Sequence, residues 1–241
     1  GTNMVLTMRA IRDELESQID ANPSITSARM ARAALLGARG NSGLILAQYF
    51  KGLAESLADG YDVSGEGFAR GMRIASEIAY RAVPEPKEGT MLTVFRECAD
   101  ASEKALKEKP GLEHVMTAAA TQAMDTVSRT PGMLQVLKDA GVVDSGGFGF
   151  ALMLRSGVEL LAGREAGAER VEPPGVSGVS GSGAPLTNIR AEFLKDIEDE
   201  AWGYCTVFAI EGTELNLEAA RKQFSKLGRS AVVAGSDTIL K

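Results

Sequence analysis

A helical repeat of apolar residues runs almost unbroken from Met4 to Ala162, and it confines most of the chain to helix packed on helix. Leu46, Phe50, Leu53 and Leu57 share one face, as do Phe68, Met72, Ala75 and Ala79. Leu92, Phe95, Ala99 and Leu106 repeat the rule, followed by Met116, Ala120, Ala123 and Val127. The spacing predicts helices over about Met4–Ala21, Thr26–Leu36, Ser42–Ala58, Ser64–Val83, Thr90–Lys109, Leu112–Ser128, Pro131–Ala140 and Gly146–Ala162. Punctuation agrees. Ser64 suits an N-cap, Pro131 suits a first helical turn, and Gly141 suits a left-handed stop. Only 5% of the residues are aromatic, while Ala, Leu and Met abound, so the helices pack closely through small side chains.

The texture changes after this run. Glu172 to Pro185 reads EPPGVSGVSGSGAP, which has nothing to pack and reads as a linker. Beyond it, Tyr204–Ile210 is a strand candidate, Leu217–Leu227 a helix with Asn216 as N-cap and Gly228 as stop, and Ser230–Ala234 a second strand that resumes at Thr238–Leu240. The expected organisation is a helical domain over residues 1–165, a linker over 166–190, and an incomplete β-α-β unit over 191–241. The fold class is mainly α, followed by the start of a small α/β domain.

A net charge of −6 disfavours nonspecific nucleic-acid binding. Two cysteines, Cys98 and Cys205, form no disulfide framework and fit a reducing, cytoplasmic setting. No apolar run reaches the roughly 18 residues of a membrane span. His114 is the single histidine and has no nucleophile context, which argues against a Ser-His-Asp triad. Cys98, one turn after Phe95, reads as a buried small apolar residue. The acidic residues Glu192, Asp196, Glu198, Asp199 and Glu200 read as a solvated helix face, and Trp202 as an anchor of the second domain or a partner contact.

Three glycine-rich breaks open helices: Gly1-Thr2-Asn3-Met4, Gly37-Ala38-Arg39-Gly40-Asn41-Ser42-Gly43, and Asp144-Ser145-Gly146-Gly147-Phe148-Gly149. At a helix start, free N–H groups and the positive dipole end favour an anion such as phosphate, and glycine lets the backbone approach. None of the three fits the P-loop or dinucleotide pattern, and each alone is compatible with a plain turn. A fourth element, Glu88-Gly89-Thr90-Met91-Leu92, admits Thr90 either as a helix cap or as a pocket residue. Arg39 could clamp a phosphate or cap neighbouring carbonyls; Asp144 could orient a water or metal, or cap its helix.

Taken in order and spacing, GTNM at 1–4, GARGNSG at 37–43, EGTML at 88–92 and AGVVDSGGFG at 140–149 resemble the ATP-binding subunit of bacterial fatty-acid kinase, a family related to the ATP-binding subunit of dihydroxyacetone kinase. The resemblance covers nearly the whole chain. It implies an eight-helix DhaL-like barrel with ATP at one end. It also implies two Mg²⁺ ions held by an Asp-Gly-Asp-Thr-Gly-Thr-Asn-Met motif, of which this sequence holds Gly1-Thr2-Asn3-Met4. The magnesium carboxylates would precede Gly1, so the chain reads as a fragment that transfers nothing by itself. Carried over residue by residue, Gly1, Thr2 and Asn3 contact ATP, Asn41 and Ser42 lie on the phosphate side, and Gly89, Thr90 and Met91 line the nucleotide. Asp144, Ser145 and Gly146 close over it, and Lys138 matches a basic position of the more distant relative. Cys205 matches a cysteine that joins a zinc site in the family's middle domain, although a core strand cysteine is the competing reading.

The implied activity is phosphoryl transfer from ATP to a fatty-acid carboxylate presented by a separate fatty-acid-binding protein, with a homodimer compatible. The rival readings are a nucleotide-holding regulatory module, a kinase acting on a small triose, and a helical scaffold with no nucleotide.

Overall fold

The computed structural model describes residues 1–17, 20–58, 63–167, 170–174, 206–227 and 231–241. Its helices are α1 (Thr2–Ser17), α2 (Pro23–Gly37), α3 (Gly40–Ala58), α4 (Gly65–Arg81), α5 (Met91–Glu108), α6 (Leu112–Met133), α7 (Gln135–Ala140) and α8 (Ser145–Leu161). From α1 to α6 each helix packs on the next, and α8 returns to lie against α6 and α5. The seam between α8 and α1 is closed at Gly149, where a Cβ would sit 3.2 Å from Met4 Sδ. The result is the eight-helix barrel that the periodicity and the resemblance predict.

Three fully buried rings from three helices centre the core. Tyr49 of α3 lies 4.4 Å from Phe95 of α5 and 4.9 Å from Phe150 of α8, and Phe95 and Phe150 are 4.6 Å apart, edge to face. Small residues set the helix spacing around them. At Gly52 a Cβ would fall 2.3 Å from Ala75 Cα, so the α3 and α4 backbones touch. Cys98 is buried, its thiol donating to the Ala119 carbonyl at 3.3 Å, and burial pushes the thiol far above its usual range. It is a packing residue, as expected.

Helix starts obey their caps. Ser64 Oγ accepts the Gly67 amide at 3.1 Å, and Asn216 Oδ1 accepts the Ala219 amide at 2.9 Å. α2 begins three residues earlier than predicted because Asn22 caps it, accepting Ser24 N–H at 2.9 Å, with Pro23 in the first turn. Gly141 stops α7 at φ 70°, as expected.

The larger correction concerns Pro131. It does not open a helix; it lies inside α6, which continues to Met133. A proline at this position lacks the N–H that would bond the Val127 carbonyl. The Thr130 hydroxyl takes that carbonyl instead, at 2.7 Å, and the helix runs on.

Past the barrel, β1 (Ile210–Glu211), α9 (Leu217–Leu227) and β2 (Ile239–Leu240) form a small strand-containing unit. Its strands pair antiparallel, Ile210 with Leu240 and Glu211 with Ile239, rather than as the β-α-β crossover expected. Of the strand expected at Ser230–Ala234, residues 231–234 are not strand and give way to a tight return in which the Ala234 and Lys241 backbones exchange hydrogen bonds at 2.9 and 2.8 Å, while β2 falls within the expected resumption at Thr238–Leu240. Ala234 is fully buried in the barrel's own core cluster, and Lys51 of α3 donates to the Gly235 carbonyl at 3.0 Å. Most of the linker, the acidic run, Trp202, Cys205 and Gly228 lie outside the described residues. No helix among the described residues is long and apolar enough to cross a membrane.

Candidate functional site

Four helix starts meet at one end of the barrel. Their junctions come from contacts that only small or amide side chains permit. Asn3, in the first turn of α1, lays its side chain over Gly40, the first residue of α3. A Cβ on Gly40 would be 2.4 Å from Asn3 Nδ2, and its φ of +58° is itself a glycine conformation. Behind this contact, a Cβ on Gly43 would meet Thr7 Oγ1 at 2.8 Å, so α1 and α3 are held close. Gly1 N lies 3.4 Å from Ser145 Oγ, which joins the start of α1 to that of α8. A Cβ on Gly146 would touch Met91 Cβ at 3.4 Å, which joins α8 to α5.

The α5 start departs from expectation in a useful way. Thr90 occupies the cap position in backbone conformation, but its side chain makes no capping bond. Its hydroxyl turns back to the Lys87 carbonyl at 2.8 Å. The preceding Gly89, at φ +81°, is buried under Met133, Leu134 and the Thr130 carbonyl. Its amide donates to Thr93 Oγ1 at 2.9 Å, and Thr93 donates in turn to Glu88 Oε2 at 2.9 Å. Arg96 and Tyr80 also bond Glu88, at 2.7 and 3.3 Å. Burial opposes ionisation of Glu88, but the Thr93, Arg96 and Tyr80 contacts together hold it below the ordinary carboxylate range. The loop before α5 is therefore fixed from behind, leaving the first turn facing the junction.

Asp144 resolves in favour of a cap. Its Oδ2 accepts the Gly147 amide at 2.6 Å, and its own amide donates to Thr130 Oγ1 at 3.0 Å. Burial pushes its carboxyl above the usual value, with the Gly147, Met91 and Gly146 amides opposing. Thr130 escaped the sequence reading, yet it ties α6 to the α8 start while repairing the gap left by Pro131. The Thr-Pro pair was the available signal.

Gly1, Thr2, Asn3, Asn41, Ser42, Gly89, Thr90, Met91, Asp144, Ser145 and Gly146 thus fall on the four adjoining starts or the turns that lead into them. Gly1, Thr2, Asn3, Asn41 and Ser145 are exposed there, whereas Gly89, Met91 and Gly146 are buried beneath. Lys138 is not brought in by any described contact: it is exposed on α7, which packs on α6. Among the described residues Arg39 donates only to the carbonyl of its neighbour Ala38, at 3.3 Å, which does not choose between its two readings. His114 faces Glu108 at 3.9 Å across the α5–α6 turn, away from any nucleophile.

The arrangement offers backbone N–H groups and dipole ends to an anion. It does not offer a metal centre. Mg²⁺ needs hard oxygen ligands. No group of three or more His, Cys, Asp or Glu among the described residues is placed to hold an ion, and Asp144 is engaged as a cap. The residues present do not fit the magnesium pair. Two cavities lie elsewhere. One of about 560 Å³ opens between α6 and α8, and one of about 210 Å³ lies under α2, α3 and α4. No residue of the junction lines either.

Comparison with known proteins places the chain in a family. Residues 1–159 match the profile described as the DAK2 domain. An uncharacterized protein of Staphylococcus saprophyticus is 32% identical over 247 residues, covering 100% of this chain and 43% of its own length. One from Staphylococcus epidermidis gives the same figures, and one from Staphylococcus aureus is 32% identical over 256 residues and 44% of its length. The chain therefore spans less than half the length of these curated relatives.

Proposed function

The chain belongs to the DAK2 domain family, and from that premise we propose that its barrel binds ATP at the junction of α1, α3, α5 and α8 as the nucleotide-holding part of a fatty-acid kinase. The observation that carries the reading is the convergence itself: Asn3 on Gly40, Gly1 beside Ser145, and Gly146 against Met91. Such a site recognises phosphates through amides, with Asn41, Ser42 and the uncapped α5 turn on its walls.

In the intact protein the acceptor is a fatty-acid carboxylate presented by a separate fatty-acid-binding protein. A carboxylate oxygen attacks the γ-phosphorus, the bond to the β-phosphate oxygen breaks, and an acyl phosphate and ADP result. No covalent intermediate on the enzyme is needed. This chain's part is to orient the triphosphate and to stabilise charge on it.

Two measurements test the reading. Calorimetry of the longer protein with ATP is expected to show stoichiometric binding that Asn3→Leu weakens, since the larger apolar side chain fills the Asn3–Gly40 wall. The same protein, incubated with Mg-ATP, fatty acid and its carrier, is expected to give a hydroxylamine-trappable acyl phosphate. A protein that binds ATP but phosphorylates no carrier-bound acid would favour the second reading, a nucleotide-holding regulatory module. Phosphorylation of a triose in place of the acid would move the acceptor to the dihydroxyacetone branch.

A further inference from the structure

We propose that Arg39 contacts the phosphate chain of the bound nucleotide, and that Lys241, reaching over from the second unit, is the positioning residue that leaves Arg39 available to do so. The inference rests on the nucleotide reading above and adds a cation that the family resemblance does not supply.

Arg39 stands immediately before α3, and its carbonyl accepts the Gly43 amide at 3.2 Å in that helix's first turn. It is therefore one residue from Gly40 and the Asn3 side chain that covers it. An arginine here has an obvious alternative occupation. The last turn of α2 ends beside it with carbonyls in need of donors, and a long basic side chain at a helix C-terminus normally takes them. In this structure Lys241 has taken them. Its Nζ donates to the Leu35 carbonyl at 3.1 Å and to the Leu36 carbonyl at 2.7 Å.

Arg39 keeps a single bond, to the carbonyl of its own neighbour Ala38 at 3.3 Å, and is exposed. Neither cation forms an ion pair with a carboxylate among the described residues. The two positive charges also act on each other: burial, and then Arg39, lower the Lys241 ammonium from its ordinary value. Mutual repulsion directs the freer group outward, and Arg39 is the freer one. A guanidinium carried by the residue before the α3 start, with one hydrogen bond to its neighbour's carbonyl, suits bidentate binding of phosphate oxygens.

Lys241 can reach α2 because the return that carries it is seated firmly. Ala234 is buried in the barrel core, Lys51 bonds the Gly235 carbonyl, and the Ala234 and Lys241 backbones pair. The second unit thus completes the electrostatics of a site built by the first.

The test is a double-mutant cycle on the longer protein, with ATP binding read by calorimetry. Arg39→Ala is expected to weaken ATP binding about tenfold or more, the scale of a lost charge-assisted hydrogen bond. Lys241→Met is expected to weaken it several-fold, because Arg39 then folds onto the Leu35 and Leu36 carbonyls. Lys241→Arg, which can still cap those carbonyls, is expected to restore wild-type affinity. In the Arg39→Ala background Lys241→Met should cost nothing further. Full ATP affinity in Arg39→Ala would overturn the proposal, and so would an equal loss from Lys241→Met in both backgrounds, which would mark Lys241 as merely structural. Should the wild-type protein bind no ATP, the nucleotide reading itself falls, and the inference with it.

Discussion

Replacing Thr130 with Val tests how α6 carries a proline and, through it, how the α8 start is held. Valine matches threonine in shape, so no cavity opens, and only the hydroxyl is lost. Two partners are then stranded: the buried Val127 carbonyl that the hydroxyl satisfies at 2.7 Å, and the partly buried Asp144 amide that it accepts at 3.0 Å. An unpaired buried group costs about 1–3 kcal/mol and a partly buried one less, so the variant should be about 1–4 kcal/mol less stable. The control is Pro131→Ala, which restores an N–H able to bond the Val127 carbonyl. Urea denaturation of the four proteins in this cycle gives the answer. In the alanine background Thr130→Val should cost only about half as much, because one of its two orphans has a new partner. An equal cost in both backgrounds would show that the threonine does not stand in for the missing proline N–H, and the account of the continuous α6 would be wrong.

Other consequences follow from the same contacts. Gly52→Ala should lose roughly 3 kcal/mol or more in a thermal or urea melt, since its methyl would lie 2.3 Å from Ala75 Cα, a backbone atom that cannot move aside cheaply. Phe95→Ala, which empties the centre of the ring cluster, should cost about 3–5 kcal/mol in the same measurement. Glu88 has a depressed carboxyl pKa in the folded state, so its contribution is present above the ordinary value of 4.5 and is lost as pH falls through the folded value. Glu88→Gln should therefore flatten the acid limb of the stability curve. Asp144 has the opposite sign. Its raised carboxyl pKa favours the folded state below the ordinary value of 3.8, and that contribution fades as pH rises through the folded value, so Asp144→Asn should remove a decline between those points.

The helices were legible because their signal is local. Phe68, Met72, Ala75 and Ala79 repeat at helical spacing whatever the rest of the chain does, and Ser64 and Gly141 mark ends with their own side chain or its absence. What the sequence hid were decisions made across space. Thr130 and Pro131 look like a helix break until the hydroxyl is seen to bond the carbonyl one turn back. Thr90 looks like a cap until Lys87 competes for its hydroxyl. Asp144 had two readings, and only the 2.6 Å bond from Gly147 chooses between them. One strand of the second unit was misplaced for a similar reason, while β2 falls within the expected Thr238–Leu240: Ser230–Ala234 has strand composition, yet Ala234 is used to pack on the barrel and to turn the chain. The glycine-rich motifs fall on helix starts that adjoin one another, but neither spacing nor composition says that Asn3 covers Gly40 or that Gly146 meets Met91.

A nucleotide site of the kind proposed has to work in a chain of net charge −6. Long-range attraction is absent, and at physiological salt it would be screened beyond about 8 Å in any case. Attraction must therefore come from groups within contact distance. Each helix start presents about half a positive charge through its free amides, so four adjoining starts supply about two charges at the junction without a single ionised side chain. Amides so fixed cost no side-chain entropy to position, and they require glycine or another small residue wherever the backbone must approach. Among the glycines at 1, 40, 89 and 146, two meet that requirement: at Gly40 and Gly89 a neighbouring side chain already occupies the space a Cβ would need, and both also hold a positive φ. In the proposed site Arg39, left with its own neighbour's carbonyl while Lys241 takes those of Leu35 and Leu36, would add a full charge where the dipoles alone fall short of a triphosphate.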